Sequence, residues 1–224
     1  MRKTPAILPL AAAALLLGGC LQKETTHTLY LAPDGAVAWM ALEKDVRSDS
    51  TSAAERRAEE QSYLESIAAG SHGISSGFAA LEPLSQTSQV LRAERPFIVV
   101  TEARFSSVER LFERMLADLR IPGSASLTRT AGSTTLRIRA DIAAAMSDES
   151  DRETPVTGLI EDFAHYRFVL TEGRFTAAQG FSLSDDGTTA TPIEISQDSV
   201  NERGGVVDLM LTWGTPRAAR SAGL

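Results

Sequence analysis

The chain has 224 residues, 43% of them hydrophobic and 23% charged, with a formal net charge of −7. These proportions belong to an ordinary soluble globular protein and exclude fibrous and low-complexity classes. A single long apolar run excludes a polytopic membrane protein, the acidic balance argues against nucleic acid as a partner, and one cysteine makes neither an internal disulfide nor a thiolate metal cage.

Met1-Arg2-Lys3 is a short basic start, followed by an apolar stretch, Ala6–Gly18, that includes Ile7, Leu8, Leu10 and Leu15–Leu17. A basic start, a short apolar segment and a zone of small residues describe a secretory signal. A spanning helix needs roughly 20 apolar residues, so this run is too short, and Pro9 would weaken a straight helix within it. Leu17-Gly18-Gly19-Cys20 resembles the lipobox of bacterial lipoproteins, in which a large aliphatic residue and two small ones precede the cysteine. The resemblance implies that Cys20 receives a diacylglyceryl thioether, that cleavage falls just before it, and that the new amino group is acylated in turn. It covers the first twenty residues only.

One acyl chain gives marginal membrane binding, whereas two or three hold durably. The membrane is therefore the expected partner through lipid on Cys20, and the polypeptide needs no membrane-binding face of its own. Removal of residues 1–19 takes Arg2 and Lys3 with it and leaves 20 basic against 29 acidic residues, a balance of −9. Such a surface is repelled by anionic headgroups. Leu21 stands where, in enterobacterial lipoproteins, an aspartate marks inner-membrane retention. An envelope location facing the periplasm or exterior follows, with the outer membrane favoured where one exists. The expected organisation is a signal peptide over 1–19, a lipidated cysteine and short polar stem over 20–26, one domain over 27–213 and a flexible tail over 214–224.

In the body of the chain, Thr26–Ala32 and Ala36–Leu42 alternate apolar and polar residues around Pro33-Asp34-Gly35, which predicts a hairpin. Glu43–Ser50 reads as a charged connection. Ser52-Ala53-Ala54-Glu55 matches a capping box, and the helix formers after it end at Gly70. Its expected apolar stripe is Ala54, Ala58, Gln61, Leu64 and Ala68, with Tyr63 and Ile67 beside it and Arg56, Arg57, Glu59, Glu60 and Glu65 on the outer side. A second short helix is expected over Ile74–Leu81, stopped by Pro83. Gln89–Phe105 is strand-rich, and Phe97–Val100 suits a buried strand whose first half Pro96 restricts.

The clearest helix follows Ser106-Ser107-Val108-Glu109. There Val108, Leu111, Phe112, Met115, Leu116 and Leu119 recur at three and four residues, until Ile121-Pro122-Gly123 ends the pattern. Leu127–Thr130 and Thr134–Ile142 predict another hairpin, with Leu136, Ile138, Ala140 and Ile142 on one face and Arg137, Arg139 and Asp141 on the other. Ser147–Pro155 is acidic and without large apolar residues, hence a loop, and Thr157–Phe163 suits one or two helical turns. Strands are expected at Tyr166–Thr171, Phe175–Leu183, Thr189–Ile195 and Val206–Trp213. Phe181–Gly187 echoes Leu29–Gly35, which shared hairpin chemistry explains more simply than duplication. The order predicts an α+β fold, a mainly antiparallel sheet of hairpins with two main helices packed on one face.

Candidate chemistry is sparse. Histidine occurs only at 27, 72 and 165. The segment Gly70–Gly77 combines glycines, hydroxyls and His72; read functionally, it is an anion-cradling loop at a helix start. It lacks the Gly-Lys-Ser/Thr ending of a P-loop and the Gly-x-Gly-x-x-Gly spacing of a dinucleotide turn, so a helix-to-helix connection is the simpler reading. Ser71, His72 and His165 are the candidate catalytic residues, with Ser75 as an alternative hydroxyl. There is no Gly-x-Ser-x-Gly elbow. Glu161 and His165 are four apart but make only half a metal site, and Asp148, Glu149, Asp151 and Glu153 do not match a calcium loop. Neither metal nor cofactor is expected, and Trp39 and Trp213 are read as packing residues. The favoured function is a non-catalytic binding or assembly module with an envelope protein or other ligand as partner. The alternative is a periplasmic hydrolase or enzyme subunit using Gly70–Gly77.

Overall fold

Strand pleating sends successive side chains to opposite faces, so a strand whose alternate residues are apolar buries one face. In the computed structural model, which describes residues 21–147, 163, 165–193, 200 and 204–214, strands β1 (Leu21–Leu31) and β2 (Val37–Ser48) do this together. Leu29 sits opposite Trp39 and Leu31 opposite Val37, all four buried. The turn forms as its residues dictate. Gly35 takes φ +83°, and Asp34 Oδ1 accepts the Ala36 N–H at 3.0 Å.

Two elements differ from expectation here. Gln22–Thr26, read as a stem, is the first half of β1, and the supposed connection after Leu42 is the continuation of β2. The reason for the second is a bulge. Glu43 pairs with Val99 and Val46 with Phe97, so β2 carries one extra residue, and Asp45 there adopts φ +52°. Three positions apart, Glu43 and Val46 would face opposite sides of a regular strand; the extra residue turns both inward.

β3 (Ser85–Arg92) and β4 (Phe97–Phe105) extend this sheet on one side, with β4 in the interior and β3 at the edge. On the other side β7 (Tyr166–Leu170) lies parallel to β1, Phe168 opposite Leu29, and is followed by β10 (Thr189–Pro192) and β9 (Phe181–Leu183). A second, four-stranded sheet has the order β5 (Gly123–Arg129), β6 (Ser133–Asp141), β11 (Val206–Gly214), β8 (Phe175–Gln179). The α+β class holds, with the strands divided between two mainly antiparallel sheets.

Phe175–Leu183, expected as one strand, is split at Gly180 between the sheets. That residue has φ +76°, and a Cβ there would run into the Leu209 side chain.

The helices occupy the inner face of the seven-stranded sheet. α1 (Ala53–Ala68) starts at Ser52, whose side chain accepts the Glu55 N–H at 3.4 Å. Its buried residues are Glu60, Tyr63 and Ile67 rather than the alanine stripe, because the apolar ground beneath it is Val46, Phe97 and Val99 and only the larger side chains reach that far. α2 (Gly73–Ala80) sets Phe78 against Trp39, ring centroids 4.7 Å apart. α3 (Val108–Asp118) is capped by Ser107 and buries Val108, Leu111, Phe112 and Leu116, each worth about 1.5–3 kcal/mol when fully buried.

Phe112 stacks on Phe168 at 6.0 Å, while Leu136, Ile138, Leu211 and Trp213 of the second sheet close the same core. A short helix, α4 (Ile142–Ser147), adds Ile142 and Ala145. Trp39 and Trp213 are both buried, as their packing role requires. Among the described residues no helix is long and apolar enough to cross a membrane. The signal segment, Cys20, the acidic stretch 148–155, Glu161 and the tail from 215 lie outside the described residues.

Candidate functional site

Gly70–Gly77 is not a glycine cradle. Helix α2 begins at Gly73, so Gly77 lies inside it, and His72 occupies the N-cap position with its ring turned into the protein. His72 is 4% exposed and Ser75, in the first turn of α2, is 0% exposed. The Ser75 hydroxyl lies 2.8 Å from His72 Nδ1 and 2.8 Å from the Ser88 hydroxyl of β3. His72 Nε2 lies 3.1 Å from Thr101 Oγ1 of β4 and 3.6 Å from Glu43 Oε2 of β2.

Glu43 is the hub. It is 1% exposed, pairs with the Lys23 ammonium from β1 through Oε1 and accepts the Tyr63 hydroxyl of α1 at 2.9 Å through Oε2. One carboxylate of β2 thus ties α1, the cap of α2 and β1 together, and His72 carries the network on to Thr101 of β4. A buried carboxylate without such partners would carry a desolvation penalty of several kcal/mol.

The charges settle the tautomer. A carboxylate oxygen facing Nε2 favours the proton on Nε2, which leaves Nδ1 to accept from Ser75, while the Ser88 hydroxyl donates onward to Ser75. Burial pushes the His72 pKa below its ordinary value, the nearby Glu43 charge opposes that shift, and Lys23 adds to it. Tyr63 is pushed upward, first by burial and then by Glu43. Both rings are therefore neutral at physiological pH.

Serine, histidine and carboxylate stand here in the order a serine hydrolase uses. Their surroundings do not suit one. Ser75 has no exposed surface, both ring nitrogens face groups of the core, and a substrate carbonyl would have to pass α2 or Ser88. The geometry fastens α2 to the sheet and holds no presented nucleophile.

Ser71 is exposed, and its carbonyl accepts the Ser76 hydroxyl at 3.3 Å. His165 is exposed beside β7 and meets β1 through its carbonyl, 3.5 Å from the His27 N–H; it does not join His72. Among the described residues no cluster of three or more His, Cys, Asp or Glu is placed to hold a metal. Sequence reasoning missed Glu43, Tyr63, Ser88, Thr101 and Lys23. A signal for Glu43 existed, since it continues the inward parity of Trp39 and Ala41 on β2.

His72 makes stability depend on pH. Because its folded pKa is lowered, the unfolded chain binds a proton below about pH 6.5 that the folded chain refuses. The contribution is complete above that value and drains away as pH falls through it. The urea midpoint is expected to drop between about pH 7.5 and pH 5.5, and to drop less in His72→Gln. Equal drops in both proteins would show that His72 is not the group responsible.

No family model and no curated protein matches this sequence. Among solved structures, the NMR structure of the folded domain of Mycobacterium tuberculosis LppM aligns over 93% of this chain and 98% of that one, with 9% identity and a TM-score of 0.37. A TM-score that low does not establish a shared fold, and no family is assigned.

Proposed function

We propose that the chain is a lipid-anchored protein of the bacterial cell envelope, a non-catalytic binding or assembly module held on the membrane through Cys20. The observation that carries this reading is the run Leu17-Gly18-Gly19-Cys20 after a basic start and an apolar segment, with the sole cysteine in register. The burial of Ser75 and His72 supports a binding rather than a hydrolytic role. Residues 1–19 are then a signal peptide removed in export, the domain faces the periplasm or exterior, and Leu21 after the cysteine favours the outer membrane.

The test is the intact mass of the membrane-extracted chain beside that of Cys20→Ser. The wild type is expected to lack residues 1–19 and to carry the mass of the diacylglyceryl and acyl groups. The variant is expected to retain the signal and carry no lipid. A free thiol on an uncleaved wild-type chain would overturn the reading.

A further inference from the structure

We propose that the open edge of β3, with the groove between α1 and the β3–β4 turn, binds an extended segment of a partner protein. The segment adds to the large sheet as an antiparallel strand and sets an acidic side chain in the groove. This rests on the binding-module reading above and names its kind of partner.

β3 is the outermost strand on one side of the seven-stranded sheet, while β9 on the other side has only three residues. An edge strand presents a row of unpaired N–H and C=O groups, and proteins commonly blunt it with proline, lysine, short length or a cover. β3 runs for eight residues without proline or lysine, and its only charge is Arg92 at the end. Its pairing with β4 is regular from Ser85 to Val90, and the bulge comes after that. On β5, an edge of the other sheet, the Leu127 N–H is taken by the Glu109 carboxylate of α3 at 3.1 Å. Among the described residues no hydrogen bond outside the β4 ladder reaches the β3 backbone. Leu84 and Leu91 stand exposed at its two ends, apolar surface that an added strand removes from water.

The groove at the Arg92 end sets the chemistry of the partner. α1 packs over β2 and β3. Glu59 on one of its flanks meets Ser48 of β2, so the opposite flank, with Arg57, Gln61 and Leu64, faces the edge. Across from that flank stand Ala93, Arg95 and Phe97, and the space between is about 400 Å³ and open to solvent. With a water's share at about 30 Å³, this is room for roughly a dozen non-hydrogen atoms, the size of one or two side chains. Leu64 and Phe97 form an apolar floor, which Val90 of β3 adjoins. The rim is cationic. Arg95 pairs with Glu60, whereas Arg57 has no carboxylate partner among the described residues, and Glu94 of the turn does not line the groove. Positive charge is thus left over in a chain of net −7. A glutamate fits this pattern, with its methylenes over Leu64 and Phe97 and its carboxylate at Arg57. Strands β3, β4, β2 and β1 pair antiparallel, the mode with the stronger ladder, so the acidic residue belongs at the N-terminal end of the added segment, beside Arg92.

The probe is a hexapeptide of alternating threonine and valine headed by acetyl-glutamate, with fluorescein at its C-terminus. It is titrated by anisotropy against the full chain extracted in detergent. Saturable binding is expected, with slowed amide exchange over residues 85–92. Lysine in place of the probe's glutamate is expected to weaken binding roughly tenfold, and Arg57→Glu, at an exposed position, to reverse that preference. N-methylation of alternate probe amides is expected to abolish binding for one set and spare the other, because only one set faces β3. Binding indifferent to the probe's charge in both proteins, or unaffected by methylation of either set, refutes the proposal. So does protection of 85–92 that rises with protein concentration in the absence of probe, which makes the occupant a second copy. The mass at Cys20 is read from the same sample. A lipidated chain that does not bind the probe refutes the edge site alone, and binding by an unlipidated chain refutes the anchor alone.

Discussion

Glu43→Ala is expected to lower the unfolding free energy by about 3 kcal/mol, measured by urea denaturation of the purified chain. Removing one member of a buried ion pair costs about 3–5 kcal/mol, because the other charge is left without compensation. Here the Lys23 side chain is 33% exposed and can rehydrate, which puts the loss at the lower end of that range. Most of the cost comes instead from the Tyr63 hydroxyl, buried and deprived of its acceptor, and from the void beside His72. Glu43→Gln keeps an acceptor for Tyr63 and should lose clearly less than the alanine variant. Lys23→Met leaves the buried Glu43 carboxylate without its counter-ion and is expected to cost more than Glu43→Gln in the same measurement. A Glu43→Ala protein within about 0.5 kcal/mol of wild type would show that the carboxylate is not the hub of this end of the core.

Phe168→Ala should destabilise the chain by about 3–5 kcal/mol, the range for truncating a large buried aromatic. Phe168 is 0% exposed on β7, and its ring meets Phe112 at 6.0 Å, Phe181 at 5.2 Å and Phe163 at 6.2 Å. It therefore joins α3 to the β9 edge of the large sheet. Interior packing leaves little room to close such a void, so the loss includes contacts as well as transfer energy. Leu84→Ala is the control. That side chain is 74% exposed, and its truncation should stay within about 0.5 kcal/mol of wild type. Similar effects from the two substitutions would contradict the placement of Phe168 at the centre of the core.

The local signals in the chain proved readable where one short segment contains both cause and effect. Pro33-Asp34-Gly35 makes its hairpin through its own φ values and side-chain acceptor. Ser52 caps α1, and the spacing of Val108, Leu111, Phe112 and Leu116 buries one face of α3. The misreadings have an opposite character. Lys44 and Asp45 look like the start of a loop because both are charged, yet the bulge they create returns Val46 to the core under α1. The short helix expected over Ile74–Leu81 is present as α2, Gly73–Ala80; what gave way is the reading of 70–77 as a glycine loop, because Phe78 against Trp39 and Ser75 against Ser88 and His72 hold its second half helical.

Sequence alone determined the elements governed by neighbouring residues: the first hairpin, the capped starts of α1 and α3, the apolar period of α3, and the α+β class. It also carries the whole argument for lipid at Cys20, since that motif is read along the chain. Tertiary structure alone decided that β7 joins β1 in parallel, that the strands divide into two sheets at Gly180, and that Glu43, Tyr63, His72, Ser75 and Thr101 converge. The physical reason is separation along the chain. Leu29 and Phe168 meet because each buries an apolar surface that nothing nearby in sequence can cover, and the polar residues at 43, 63, 72, 75 and 101 find one another only after the sheet and its two helices have brought them into the same dry interior.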